Sequence, residues 1–151
     1  MTEHSGLVLR IERTFDAPAQ EVFDAWTSEE VLLRWWHSEP DWETPSAEVD
    51  LRVGGKLRIV MRDPDEGTDH GGGGEYTVIE PPHRLAYTWI WDDDPENPQL
   101  IELEFTERDG ATTVVLTDSG ITTEKGRDEH EDGWQGCLDS LDRVLAARRR
   151  R

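Results

Sequence analysis

Five histidines, one cysteine and seven tryptophans are the side chains of this sequence best suited to chemistry or recognition. An imidazole can serve as a general base or polarise a carbonyl. His130 is the histidine placed for that work, one helical turn before Trp134 on the same face of a C-terminal helical segment. A plainer task also suits it, capping a loop carbonyl near the helix start, because a base needs a partner within reach. His4, His37, His70 and His83 fall on different segments, and none has ligand spacing such as H-x-x-x-H. A lone cysteine cannot build a thiolate site, so neither a metal nor a cofactor is expected. Cys137 flanks an apolar stripe with no basic neighbour, which describes a packed thiol rather than a nucleophile. The run Gly71–Gly74 follows an acidic stretch from Pro64. A phosphate cradle needs a lysine and a following helix; both are missing, so a flexible hairpin tip is expected there.

Tryptophan is the more telling residue. Trp35, Trp36, Trp89, Trp91 and Trp134 each read singly as core packing. As a set, in a chain with only three phenylalanines, they suit the walls of a pocket for flat apolar molecules. A buried indole N–H needs a partner, so such a pocket should have a polar edge.

These residues must be positioned by the elements around them. Leu7, Leu9, Ile11 and Phe15 alternate with polar residues, a first strand from Leu7 to Phe15. Pro18 suits the first turn of a short helix bearing Ala19, Val22, Phe23 and Trp26. Thr27-Ser28-Glu29-Glu30 reads as a capping box for a second short helix through Trp36. Six strands follow. Ala47–Val53 is joined to Leu57–Met61 by a Gly54-Gly55 turn, and then come Tyr76–Ile79 and Leu85–Trp91. Ile101–Phe105 and Thr112–Thr117 meet at an Asp109-Gly110 hairpin. Leu85–Trp91 is apolar on both faces, which predicts a central, doubly buried strand. The last element is a helix of about 20 residues, capped by Asp128 with Glu131 at N3. Its stripe is Trp134, Leu138, Leu141 and Leu145, flanked by Cys137 and Val144. Hairpin-joined strands make an antiparallel sheet, and one long amphipathic helix must cover its concave face. The space between them can be filled or left as a pocket.

Composition bounds the rest. The 151 residues fit one domain, with a core at about 7–147 and a basic tail at 148–151. The formal net charge of −18 repels nucleic acid and anionic membranes. Arg148 to Arg151 reads as a solvated helix end complementing the helix dipole. Mean hydropathy is −0.75, and no segment has the run of apolar residues that a membrane span needs. No signal peptide is visible, so the cytoplasm is the expected location. The spare strand edge and the tryptophan-bearing second helix are compatible with a homodimer.

Several motifs recur in a familiar order across Leu7–Leu145. They are Phe15-Asp16-Ala17-Pro18 with Val22-Phe23, then Trp35-Trp36, then Asp50 to Gly55. Gly74-Glu75-Tyr76, Glu80 to Leu85, Thr88 to Trp91, and His130 with Gly133-Trp134 follow. On these residues the chain resembles the START-like, helix-grip superfamily. Within it, it is similar to the branch of homologues of the activator of the heat-shock chaperone ATPase. The resemblance implies an α+β fold: a seven-stranded curved antiparallel sheet around a long C-terminal helix, with two short helices between strands 1 and 2. It also implies a hydrophobic cavity between sheet and helix. Superfamily members bind lipids, hormones or polyketides, and some catalyse cyclisation or dehydration there. No shared catalytic set carries over.

The leading expectation is therefore a binding protein for a hydrophobic small molecule, without a defined catalytic step. Trp36, Met61, Trp89, Trp91 and Trp134 would form its walls, with Tyr76, Tyr87 and His130 as polar contacts. A cyclase, dehydratase or hydrolase using the same cavity is the alternative, and needs His130 or a buried carboxylate facing inward with a shifted pKa. A chaperone-regulating accessory ranks last. The eukaryotic namesakes carry a further N-terminal domain that these 151 residues do not include, and the outer strand faces read as polar.

Overall fold

A computed structural model describes residues 7–149. The chain runs β1 (Leu7–Phe15), α1 (Ala19–Thr27), α2 (Glu29–Trp35), β2 (Glu43–Val49), β3 (Lys56–Asp63) and β4 (Thr68–Glu80). It continues through β5 (Arg84–Trp91), β6 (Gln99–Arg108), β7 (Ala111–Ile121) and α3 (Glu124–Arg149). The strands form one curved antiparallel sheet in the order β1-β7-β6-β5-β4-β3-β2. Strands β2 to β7 are successive hairpins. β1 closes onto β7, with Leu7 opposite Ile121 and Phe15 opposite Thr112.

Period-two alternation sends one side of each strand inward. In β6 the inward set is Gln99, Ile101, Leu103 and Phe105; in β7 it is Thr112, Val114, Leu116 and Asp118. The stripe Trp134, Leu138, Leu141 and Leu145 of α3 joins these side chains in one buried cluster. Leu141 is 0% exposed. α3 packs against β1, β7 and α2, which is the helix-grip arrangement.

Several local expectations are corrected. Gly71–Gly74 is not a loop tip but part of β4, paired with β3 and β5. Strand geometry there requires small residues: a Cβ on Gly72 would lie 2.7 Å from Trp89 Cζ2 and 2.8 Å from the Ile90 carbonyl oxygen. β2 ends at Val49 rather than Val53. Leu51 and Val53 are exposed, and residues 50–55 turn back so that Gly54 N–H donates to the Tyr76 carbonyl at 2.9 Å. The cap of α2 is Ser28, whose Oγ accepts from Val31 N–H at 3.4 Å, while the Thr27 hydroxyl donates to the Phe23 carbonyl. α3 starts earlier than Asp128. Thr123 Oγ1 accepts from Gly126 N–H at 2.9 Å and caps a helix of 26 residues. β5 is the central strand of the seven; on its outer face Ala86 is buried but Ile90 is 38% exposed, so the second face is covered only in part. His4, Arg150 and Arg151 lie outside the described residues.

Candidate functional site

An open cleft of about 430 Å³ lies between the sheet and the first half of α3. β3 contributes Met61, β5 contributes Trp89 and Trp91, and β6 contributes Gln99 and Ile101. The segment after α2 brings Trp36 and Ser38, and α3 brings His130, Gly133, Trp134 and Cys137. At the edge stand His70, Asp93, Asp94 and Glu129. Side chains from β3, β5, β6, the post-α2 segment and α3 thus converge on one space.

The indoles form a contiguous wall. Ring centroids of Trp36 and Trp89 are 5.0 Å apart, Trp36 and Trp91 6.1 Å, Trp36 and Trp134 6.3 Å, and Trp89 and Trp91 5.2 Å. These separations suit tilted and edge-to-face aromatic packing. Close approach of α3 to the post-α2 segment holds the wall together. A Cβ on Gly136 would sit 1.9 Å from the Ser38 carbonyl oxygen, so only glycine lets these backbones meet. The indole N–H groups of Trp36 and Trp89 are buried and have no hydrogen-bond partner among the described residues.

Six of the eight expected contact residues line the cleft: Trp36, Met61, Trp89, Trp91, His130 and Trp134. Tyr76 and Tyr87 do not. They are buried behind the wall, their rings 6.0 Å apart, with Tyr87 6.4 Å from Trp89. Burial pushes both phenols well above their ordinary range. Cys137 is also buried, and desolvation raises its thiol, which keeps it protonated and unreactive.

The polar end of the cleft is built around Asp118 and Gln99, which belong to none of the sequence motifs above. Asp118 is 0% exposed, and its Oδ2 accepts from Trp134 Nε1–H at 3.1 Å. Beside it is the buried carboxamide of Gln99, which lies between Asp118 and His130. With its nitrogen toward Asp118, Gln99 donates to Oδ1 and Oδ2 at 2.8 and 3.0 Å, and its oxygen, 3.2 Å from His130 Nε2, accepts from that nitrogen when the ring carries a proton on both nitrogens. His130 Nδ1 donates to the Gly126 carbonyl at 2.6 Å, one turn earlier in its own helix. The histidine therefore holds a carbonyl in the first turn of its own helix rather than a loop carbonyl, and it also lines the cleft. Charge selects the Gln99 orientation. An ionised Asp118 takes the amide N–H, whereas a protonated Asp118 donates to the amide oxygen and turns the nitrogen toward His130. Burial pushes the Asp118 carboxyl up to about 6, against the opposing pull of the Trp134 N–H and the His130 charge.

A sequence signal for this network exists. Asp118 and Gln99 continue the inward registers of β7 and β6, the Val114, Leu116 set and the Ile101, Leu103 set. A carboxylate and an amide at core positions demand partners. Among the described residues no group of three or more His, Cys, Asp or Glu side chains is arranged to hold a metal ion.

A curved antiparallel sheet gripping a long C-terminal helix, with the cleft between them, defines a START-like protein. Residues 16–146 match the model of the Activator of Hsp90 ATPase homolog 1-like protein family, and the chain belongs to that family. Among solved structures it is similar to the AHSA1 protein from Silicibacter pomeroyi, with 27% identity, 94% of this chain and 99% of that one covered, and a TM-score of 0.82. The AHSA1-like protein from Aeromonas hydrophila is 28% identical, with 93% of each chain covered and a TM-score of 0.77. A protein from Chromobacterium violaceum shares the fold at 24% identity and a TM-score of 0.83, over 91% of this chain and 96% of that one. Comparison with functionally curated proteins finds no match.

Proposed function

We propose that this protein holds an apolar or aromatic small molecule in the cleft between the sheet and α3. The observation that carries this reading is the wall of four indoles around a space of about 430 Å³, a volume within the range of small-molecule sites. Trp36, Met61, Trp89, Trp91 and Trp134 are its walls, and His130 is a polar contact. The test is a screen of lipids and aromatic polyketides read by intrinsic tryptophan fluorescence and thermal shift. A genuine guest quenches the indoles and raises Tm in a concentration-dependent way; a guest at 100 times its Kd adds about 2.7 kcal/mol. Trp91→Ala, at a half-buried wall position, should weaken that guest about tenfold while the protein stays folded. Silence across a broad library defeats the proposal.

Asp118 supports a second reading, an enzyme of cyclase, dehydratase or hydrolase type. It is a buried carboxyl at the cleft, pushed up to about 6 and joined through Gln99 to His130, which suits acid–base work. Mass spectrometry of a guest after prolonged incubation separates the readings. A binding protein returns it unchanged; an enzyme returns a product, and Asp118→Asn should then retain binding and lose turnover. A chaperone-regulating role ranks below both, because the exposed large apolar side chains Val8, Leu33, Leu51, Val53 and Ile90 are spread over separate segments.

A further inference from the structure

A second space, of about 390 Å³, lies where the C-terminal parts of α2 and α3 meet, and it shares no lining residue with the cleft. Its chemistry runs against the rest of the molecule. The chain carries 34 acidic and 16 basic residues, yet Arg34, Arg143 and Arg148 all line this space, and no Asp or Glu does. Most other arginines have a carboxylate partner: Arg10, Arg13, Arg52, Arg58, Arg62 and Arg84 are each in an ion pair. Of the arginines lining this space, only Arg34 has one among the described residues, a long contact of 3.8 Å to the exposed Glu30 one turn before it. Arg143 donates instead to the buried Ser140 hydroxyl at 3.1 Å.

His37 lines the same space and is 9% exposed. Its Nδ1 lies 2.9 Å from Thr44 Oγ1, and that hydroxyl donates its proton to the Trp36 carbonyl at 2.9 Å. The hydroxyl oxygen must therefore accept from His37 Nδ1–H, which leaves Nε2 with a lone pair and no partner among the described residues. Dipole complementarity explains an arginine at the end of either helix. It does not explain three arginines and a buried imidazole lining one space to which, among the described residues, no carboxylate contributes.

We propose that this space binds a phosphate-like oxyanion, either inorganic phosphate or the phosphoryl group of a small molecule. Arg34 and Arg143 supply forked donors from the two helices, Arg148 adds a third, and His37 takes up a proton at Nε2 to donate to the anion. A tetrahedral dianion fits better than a carboxylate, because its oxygens offer more acceptor positions to three guanidinium groups and an imidazolium. Burial and the Arg143 charge hold His37 below its usual range, which favours the neutral ring. The charged groups that line the space with it are Arg34 from α2, backed by Glu30, and Arg143 and Arg148 from α3; from β2 it meets the Thr44 hydroxyl. An arriving anion offsets those guanidinium charges and favours the imidazolium, so anion binding and proton uptake are linked.

The test is an NMR titration of the histidine ring signals with inorganic phosphate, at fixed pH and at ionic strength held constant with sodium chloride. The His37 signals should move toward the protonated position and saturate, while those of the exposed His83 stay in place. Phenyl phosphate in place of inorganic phosphate tells the two sources of the group apart, and saturation by either supports the site. The double variant Arg143→Gln, Arg148→Gln should raise the half-saturating phosphate about tenfold with an unchanged far-UV circular dichroism spectrum. Arg143→Gln alone should shift the phosphate-free His37 titration to higher pH, because a repelling charge is gone. Three results each overturn the proposal: no movement of His37, equal movement with sodium chloride alone, or a half-saturating phosphate unchanged in the double variant.

Discussion

Asp118 places a carboxyl where the surrounding packing favours a neutral group, and Trp134, Gln99 and His130 are arranged around that fact. The consequence for stability has a definite sign. The unfolded chain releases the Asp118 proton near the ordinary value of 3.8, and the folded protein releases it near 6. Between those values the folded state binds more protons, so this residue's contribution to stability falls as pH rises through the window. It is least favourable above pH 6. Asp118→Asn keeps an acceptor for Trp134 and removes the charge. Its Tm should exceed that of the wild type at pH 7.5, by the equivalent of about 2–3 kcal/mol. Most of that difference should disappear by pH 4. Thermal melts across pH 4–8 check this; a constant difference at every pH removes the buried carboxylate as the cause.

At the scale of elements, α3 sets both the core and the cleft. Leu141 has no exposed surface and lies among the buried side chains that α3 and the sheet share. Leu141→Ala should cost about 2–5 kcal/mol through lost burial and the cavity left behind, measurable by urea denaturation. The two glycines flanking Trp134 and Gln135 separate helix propensity from packing. A Cβ on Gly133 would meet Ser38 Cβ at 3.8 Å, an ordinary contact. Gly133→Ala should therefore stabilise the helix by up to about 1 kcal/mol. The same change at Gly136 drives a methyl to 1.9 Å from the Ser38 carbonyl oxygen. Gly136→Ala should destabilise by about 1–3 kcal/mol, despite the better helix former. It should also alter the environment of Trp36, which fluorescence reports. Equal effects of the two substitutions would mean that α3 does not press on the post-α2 segment as described.

For the whole molecule, the net charge of −18 is the dominant long-range term. Self-repulsion on that scale opposes the compact state and is screened by salt. Tm should rise as sodium chloride increases from about 10 to 150 mM, where the screening length falls from about 30 to 8 Å. A flat profile would mean that salt weakens attractive pairs such as Arg58–Asp92 and Arg62–Asp69 as much as it relieves the repulsion. No helix among the described residues is long and apolar enough to cross a membrane.

The strand and helix inventory, the inward stripe of α3 and the family were legible in the sequence. Each is recorded in local periodicity or in short ordered motifs. Alternation in β6 and β7 and the three-to-four spacing of Trp134, Leu138, Leu141 and Leu145 survive any tertiary context, because burying one face requires them. Six residues that line the cleft were legible for the same reason: large side chains on inward positions must meet something. The rest depended on partners far away in the chain. Gly71–Gly74 reads as a loop until Trp89 lies across Gly72 and makes small residues a condition of the strand. Thr123 outcompetes Asp128 as a cap because the helix continues through Gly126. Asp118, Gln99 and His130, like Arg34, His37 and Arg143, come from separate elements. Their chemistry arises only when the sheet curls around α3, since hydrogen bonds and charge interactions depend on distance in space, which the tertiary structure alone decides.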